Sequence, residues 1–98
     1  MSVVIVGGNE RMVGTYEDIC FCHGFDSKVF VKEKGCLRKK LGVPDLFVLF
    51  TNTVSHKMMK STMKEAKKNN IPVLHCKSSS ASALDHLLEQ FEDSKNKL

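Results

Sequence analysis

Polar and charged residues follow three hydrophobic runs of this sequence, and their types could support ligand chemistry. The segments are 7–11 (GGNER), 51–56 (TNTVSH) and 77–80 (KSSS). Hydroxyl, amide and imidazole groups can hydrogen-bond to an anion, and arginine or lysine can neutralise its charge. Two consecutive glycines allow the backbone to approach a ligand closely. This combination predicts a binding site for a small phosphate-like or nucleotide-like anion.

The candidate ligand-binding residues come from all three segments: Gly7, Gly8, Asn9, Arg11, Thr51, Ser55, His56, Ser78 and Ser79. The first segment with its continuation, GGNERMVG, is neither the GxGxxG fingerprint of dinucleotide-binding proteins nor a P-loop. A mononucleotide or another small anion therefore remains open. A purely structural role also remains open, because serine, threonine and asparagine commonly cap helices. Capping alone could explain Thr53 or Ser55, and Ser80 or Ser82.

Histidine and cysteine residues suggest a second kind of chemistry, metal binding or redox response. Residues 20–23 read C-F-C-H, which lacks the C-x-x-C spacing of common zinc and haem-attachment motifs. These residues should end a helix at the edge of the sheet opposite Cys36 and Cys76, so we predict no metal site within one subunit. The alternative function is a redox-responsive or metal- or haem-responsive protein that uses His56, Cys36 and Cys76, including across a dimer interface.

Enzymatic and nucleic-acid-binding functions have less support in the sequence. Glu10 and His56 could face each other as an acid and a base, which keeps an enzyme open, although no nucleophile motif or close carboxylate pair accompanies them. Lysines at 57, 60, 64, 67 and 68 form a basic helix face. Since no aromatic platform or known RNA- or DNA-binding motif lies nearby, we do not expect nucleic-acid binding.

Length and composition favour one small domain in the cytoplasm. The chain has 98 residues and a formal net charge of +4, so we predict a single domain over residues 1–98. Its longest apolar runs are far shorter than the roughly 20 residues that cross a bilayer, and we expect no membrane association. The N-terminus lacks the basic segment of a signal peptide, and four cysteines are compatible with reduced thiols.

The hydrophobic pattern predicts four strands and three main helices. Strands are predicted at 3–6, 28–32, 46–50 and 71–76, the second at an edge and the third buried on both faces. The first helix should end at Gly24, and the basic helix at Asn69 and Asn70. Its buried face should contain Val54, Met58, Thr62, Met63 and Ala66. Residues 34–44 are expected to form a short helical turn at best.

The last helix is marked by an apolar stripe and a capping pattern. Leu84, Leu87, Leu88 and Phe91 recur at helical spacing. Ser82 and Asp85 resemble a capping pair, which predicts the start of this helix. The tail from about residue 92 is expected to fray.

Alternating strands and helices predict a small α/β domain of the Rossmann-like or flavodoxin-like class. We expect a four-stranded parallel sheet in the order 2-1-3-4, with helices on both faces. In such sheets ligands bind beyond the carboxyl ends of the strands, where the strand order reverses, and the three polar segments should meet there. We therefore predict a non-catalytic binding or regulatory module. An open sheet edge or a methionine-rich face would be covered by a second copy, which predicts a homodimer.

The same residues resemble a bacterial family called domain of unknown function 2325, over about residues 3–91. The similarity is carried by Gly-Gly after the first strand, residues 54–56 (VSH) after the third, and Pro72 and Ser78-Ser79 around the fourth. It implies an α/β fold and no settled reaction. Many members have a histidine-rich stretch followed by Asp-Gly-Gly after the second strand, and a cysteine in the helix after the third strand. This chain has residues 31–35 (VKEKG) and Ala66 instead, so the resemblance does not imply metal or haem ligation here.

Overall fold

A computed structural model describes residues 1–32 and 40–96, and the side chains of these residues up to 93. Its elements are β1 (Ser2–Val6), a 3-10 turn (Glu10–Met12), α1 (Val13–Cys22), β2 (Asp26–Phe30), β3 (Leu46–Phe50), α2 (His56–Asn69), β4 (Val73–Cys76) and α3 (Ala81–Asn96). Residues 40 and 41 are also helical. The rest of the helical turn predicted over 34–44, up to residue 39, lies outside the described residues. Within these ranges, no helix combines the length and apolar character that a bilayer span requires.

The four strands form one parallel sheet in the order β2-β1-β3-β4, which confirms the predicted α/β architecture. Ile5 in β1 is level with Val29 of β2 on one side and with Val48 of β3 on the other. All five residues of β3 are buried, as expected for a central strand of continuous apolar residues covered on both faces. Among residues 1–32 and 40–96, no further strand pairs with the outer edges of β2 and β4, so the described sheet has two open edges.

The helices cover the two faces of the sheet and create two hydrophobic clusters. Because side chains alternate along a strand, Val3 and Ile5 of β1 point to one face, and Val4 and Val6 point to the other. Helices α1 and α3 pack on the first face, and α2 packs on the second. The C-termini of the strands and the N-termini of the helices then meet at the carboxyl edge.

Several boundaries and one face differ from the sequence prediction. β1 begins at Ser2, one residue earlier than predicted, and β2 spans Asp26–Phe30 rather than residues 28–32. Ser2 pairs with Asp26, and the amide of Gly7 donates to the carbonyl of Phe30 at the end of this ladder. β4 begins at Val73 rather than at residue 71. Met63, predicted to be buried on α2, is 42% exposed. α3 extends to Asn96, and fraying from about residue 92 stays a prediction.

The predicted capping pair of the last helix is also wrong. The hydroxyl of Ser80 accepts a hydrogen bond from the amide of Ala83, and its carbonyl accepts one from Leu84. Ser80 therefore caps α3, two residues before Ser82. Asp85 instead binds the imidazole of His23 at the end of α1, with 2.7 Å between Oδ1 and Nε2.

Candidate functional site

Hydrogen bonds join the three polar segments at the carboxyl edge of the sheet. The amide of Gly8 donates to Oγ1 of Thr53 over 2.7 Å, which links the first loop to the second. The amide of Thr51 donates to the carbonyl of Cys76 over 2.9 Å, which links the second loop to the end of β4. The segments predicted to meet in the fold therefore lie side by side.

Tyr16 on α1 connects the first loop to the third, and it is not among the residues predicted for the site. Its hydroxyl donates to the carbonyl of Ser79 over 2.5 Å and accepts from the amide of Asn9 over 3.2 Å. Its ring is fully buried and packs on Phe50, with 5.0 Å between ring centroids. The signal that could have revealed it is a tyrosine on the apolar face of a helix, because a buried phenol requires a hydrogen-bond partner.

The two glycines of the first loop are explained by packing within the chain. Both have φ of +97°, a backbone conformation that favours glycine. A Cβ atom at Gly8 would lie 2.8 Å from Cε2 of Tyr16 and 3.0 Å from Cδ2 of Phe50. One at Gly7 would lie 3.1 Å from the carbonyl oxygen of Phe50. Glycine is therefore needed at position 8 whether or not a ligand approaches.

Several backbone amides expected to bind the anion donate within the chain instead. Gly8 donates to Thr53 and Asn9 donates to Tyr16, while the amide of Arg11 donates to Oδ1 of Asn9 over 3.0 Å. These hydrogen bonds occupy three backbone donors of the first loop, so its side chains are the groups left to contact a ligand. They also show that Asn9 caps the 3-10 turn.

The second and third loops contain both helix caps and exposed polar groups. The hydroxyl of Ser55 caps α2 by accepting from the amide of Met58 over 3.2 Å, and Ser78 Oγ lies 3.1 Å from Ser80 Oγ. Thr51 Oγ1 donates to the carbonyl of Cys76 over 3.4 Å. The capping alternative is thus correct for Ser55 and Ser80, and it does not prevent their exposed hydroxyls from contacting a ligand.

The groups that remain exposed at this edge are mostly side chains: those of Asn9, Arg11, Ser55, His56 and Ser78. His56 is the first residue of α2, and the part of the chain that the structure describes offers its amide no acceptor. Such first-turn amides carry the positive end of the helix dipole. Arg11 and Lys77 add positive charge from the neighbouring loops.

Glu10, which was considered as an acid–base partner of His56, has a charged partner elsewhere. Glu10 makes an ion pair with Lys32, with 2.5 Å between Oε1 and Nζ. The carboxylate of Glu10 therefore pairs with an exposed lysine in the segment that follows β2. No described hydrogen bond joins Glu10 to His56.

The cysteines give the redox or metal alternative no support in the described residues. The buried thiol of Cys76 donates to the carbonyl of Ser78 over 3.0 Å, and burial raises its pKa. Burial also raises the pKa of Cys20 to about 11. Thiols with raised pKa values are poor nucleophiles and poor metal ligands. Over residues 1–32 and 40–96, no three histidine, cysteine or acidic side chains are grouped to hold a metal ion, and Cys36 lies outside these ranges.

A comparison with protein-family models matches residues 2–91 to a family described as an uncharacterized protein conserved in bacteria, DUF2325. The chain belongs to this family. The match confirms the resemblance found in the sequence, and the description of DUF2325 names no activity.

A comparison with solved structures finds similarity to a de novo designed Rossmann fold protein, ROS2_36830. The two chains share 20% sequence identity with a TM-score of 0.63, over 93% of this chain and 96% of the designed one. At this identity the similarity concerns the fold alone, and it supports the Rossmann-like class for this DUF2325 protein. No curated protein matches the chain.

Proposed function

We propose that this DUF2325 protein is a non-catalytic binding or regulatory module that holds a small phosphate-like or nucleotide-like anion at the carboxyl edge of its sheet. The observation that supports the proposal is the joining of three polar loops by the Gly8–Thr53 and Tyr16–Ser79 hydrogen bonds. This arrangement holds exposed polar groups from different parts of the chain at one edge. In parallel α/β sheets this is the edge at which ligands bind.

The anion would be bound mainly by side chains and by the first turn of α2. The guanidinium of Arg11 can form paired hydrogen bonds with phosphate oxygens. His56 can donate from its ring and from its amide, and the dipole of α2 favours negative charge beside it. The hydroxyls of Ser55 and Ser78 can add neutral hydrogen bonds. Asn9, Thr51 and Ser79 complete the candidate set, and Gly7 and Gly8 shape the loop that presents Arg11.

A thermal-shift titration with inorganic phosphate and with nucleoside mono-, di- and triphosphates tests the proposal. A ligand that binds only the folded protein raises the unfolding temperature progressively with concentration. The double variant Arg11→Ala, His56→Ala should weaken binding on the order of tenfold to a hundredfold, since each change removes a charged or strong donor.

A matched control is the double variant Lys28→Ala, His86→Ala, which removes an exposed cation and an exposed histidine from β2 and α3. It should bind as the wild type does. Failure of all these anions to raise the unfolding temperature, or equal binding by both double variants, would contradict the proposal.

We also propose a cytoplasmic location and a homodimer, both predicted from the sequence. Cys20, Cys22 and Cys76 are free thiols, which is compatible with a reducing compartment. Among the described residues no strand covers the outer edge of β2, and such edges are surfaces at which sheet proteins associate. Fractionation of the native host tests the location. Sedimentation should give twice the chain mass of 11.0 kDa, and a single-chain mass at high concentration would exclude the dimer.

A further inference from the structure

A groove of about 960 Å³ runs between α2 and the open edge of β4, away from the proposed anion site. Its apolar lining is formed by Met59, Met63, Ala66, Ile71 and Val73, with His75 at one end. Met63 is exposed there, and Val73 and Met59 are half-buried. None of the candidate anion-binding residues lines this groove, so the two surfaces can be tested separately.

In the described part of the chain no strand pairs with the outer edge of β4, whose backbone groups lie directly beside the groove. The carbonyls of Pro72 and Cys76 accept hydrogen bonds from Phe47 and Thr51 in the direction of β3. Because successive residues of a strand direct their backbone groups to opposite sides, those of Val73 and His75 point to the open edge. Their side chains line the groove, so an added strand would meet both the backbone and the apolar lining.

The charges around the groove indicate which kind of partner could bind there. The groove is bordered by Lys60, Lys64 and Lys67, and its lining within the described chain includes no aspartate or glutamate. A second copy paired to β4 about a twofold axis would bring the same three lysines of each α2 together. Like charges at close range oppose that pairing. An acidic partner would instead be attracted along the whole border.

We propose that this groove binds an acidic, extended segment of another protein, which adds a strand to β4. Backbone hydrogen bonds to Val73 and His75 would hold the segment in place. Apolar side chains of the segment would fill the space beside Met59 and Met63, and methionine side chains adapt well to varied partners. Flanking aspartate or glutamate residues would pair with the three lysines.

The first test is an NMR titration of the protein, labelled with 15N and with 13C in its methionine methyl groups, with the synthetic peptide acetyl-Glu-Ser-Val-Ser-Leu-Ser-Glu-amide. Saturable shifts are expected at the amides of Val73 and His75 and at the methyl group of Met63. A peptide with lysine in place of both glutamates should bind at least about tenfold more weakly, because it faces repulsion at the groove. Absence of shifts at β4 with millimolar acidic peptide would overturn the proposal.

N-methylated peptides separate strand addition from simple charge attraction. One version has methyl groups on the amides of Val and Leu, and the other has them on the amides of the three Ser residues. Only alternate amides of an added strand face its neighbour, so one version should lose binding and the other should retain it. Equal binding of both versions and of the unmethylated peptide would show that no strand is added.

Protein variants on one helix provide the matched comparison. Lys64→Glu places repulsion in the groove, whereas Lys68→Glu makes the same change one turn later, outside its lining. Peptide affinity should fall about three- to tenfold for Lys64→Glu and stay within about twofold of wild type for Lys68→Glu. Equal losses in the two variants, or a homodimer that buries β4 of both copies, would overturn the proposal.

Discussion

The hydroxyl of Tyr16 donates to the carbonyl of Ser79, a residue 63 positions later in the chain, over 2.5 Å. The same oxygen accepts from the amide of Asn9. One buried side chain of α1 therefore satisfies backbone groups of two loops that would otherwise lack partners at the carboxyl edge.

Tyr16→Phe should destabilise the protein by about 1–3 kcal/mol. The change retains the ring contact with Phe50 and leaves the amide of Asn9 and the carbonyl of Ser79 without this partner. Urea unfolding monitored by circular dichroism measures the loss. Thr15→Val, on the exposed side of the same helix, is the control and should change stability by less than about 0.5 kcal/mol. Equal stabilities of the two variants would show that the phenol hydroxyl contributes nothing.

Gly8→Ala and Gly14→Ala should have opposite effects on the free energy of unfolding. At Gly8 the positive φ and the 2.8 Å approach to Tyr16 predict a loss of at least about 1–3 kcal/mol. At Gly14, in the first turn of α1, a Cβ atom meets no atom within 4 Å, so alanine should stabilise by about 0.5–1 kcal/mol. Denaturant unfolding of both variants checks the pair, and a stable Gly8→Ala protein would contradict the packing described for this loop.

Ser80→Ala should cost about 1 kcal/mol, and Ser82→Ala should cost little. Ser80 Oγ accepts from the amide of Ala83 at the start of α3, a capping contact that alanine cannot make. Ser82 is exposed within the first turn of the same helix. Thermal unfolding of the two variants distinguishes the positions. A larger loss at Ser82 would restore the capping pair predicted from the sequence.

The contribution of His23 to stability should decrease as the pH rises. A hydrogen bond to Asp85, opposed by desolvation and aided by Glu92, raises the pKa of His23 above its ordinary value of 6.5. A raised folded-state pKa means that the stabilisation is fully present below the unfolded value and is lost as pH rises through the folded value. Solvent screens the pair, since the Asp85 side chain is 58% exposed, so the effect should not exceed about 1 kcal/mol.

Urea unfolding of wild type and His23→Gln between pH 5 and pH 9 measures this contribution. The difference between the two proteins should be largest at the acidic end and should shrink at higher pH. His86→Gln is the control, because His86 is exposed on α3 and contacts Gln90 rather than a carboxylate. A difference that grows with pH would contradict the assignment of the His23–Asp85 pair.

Local patterns in the sequence were sufficient to predict the sheet and its strand order. The apolar run of β3, and the apolar run of β1 that ends at two glycines, indicate buried strands. Because helices alternate with the strands, the strands should be parallel, which leaves few possible strand orders. The carboxyl edge then follows from the fold, which is why the three polar loops could be predicted to meet.

Contacts between distant residues could not be predicted in the same way. Tyr16 and Ser79 are far apart in sequence, and nothing in the spacing of either indicates the other. Asp85 matched a local capping pattern, but its partner His23 lies 62 positions away. Similarly, the acceptors of the Gly8 and Asn9 amides, Thr53 and Tyr16, come from other elements, so the sequence of the first loop could not indicate them.

The position of β1 between β2 and β3 has a consequence for synthesis of the protein on the ribosome. Val3 and Val4 pair with Leu46 and Phe47, so β1 is made before both of its neighbours and lacks one of them until β3 has been made. Early chains must therefore keep this valine-rich strand from aggregating while its second neighbour is still missing.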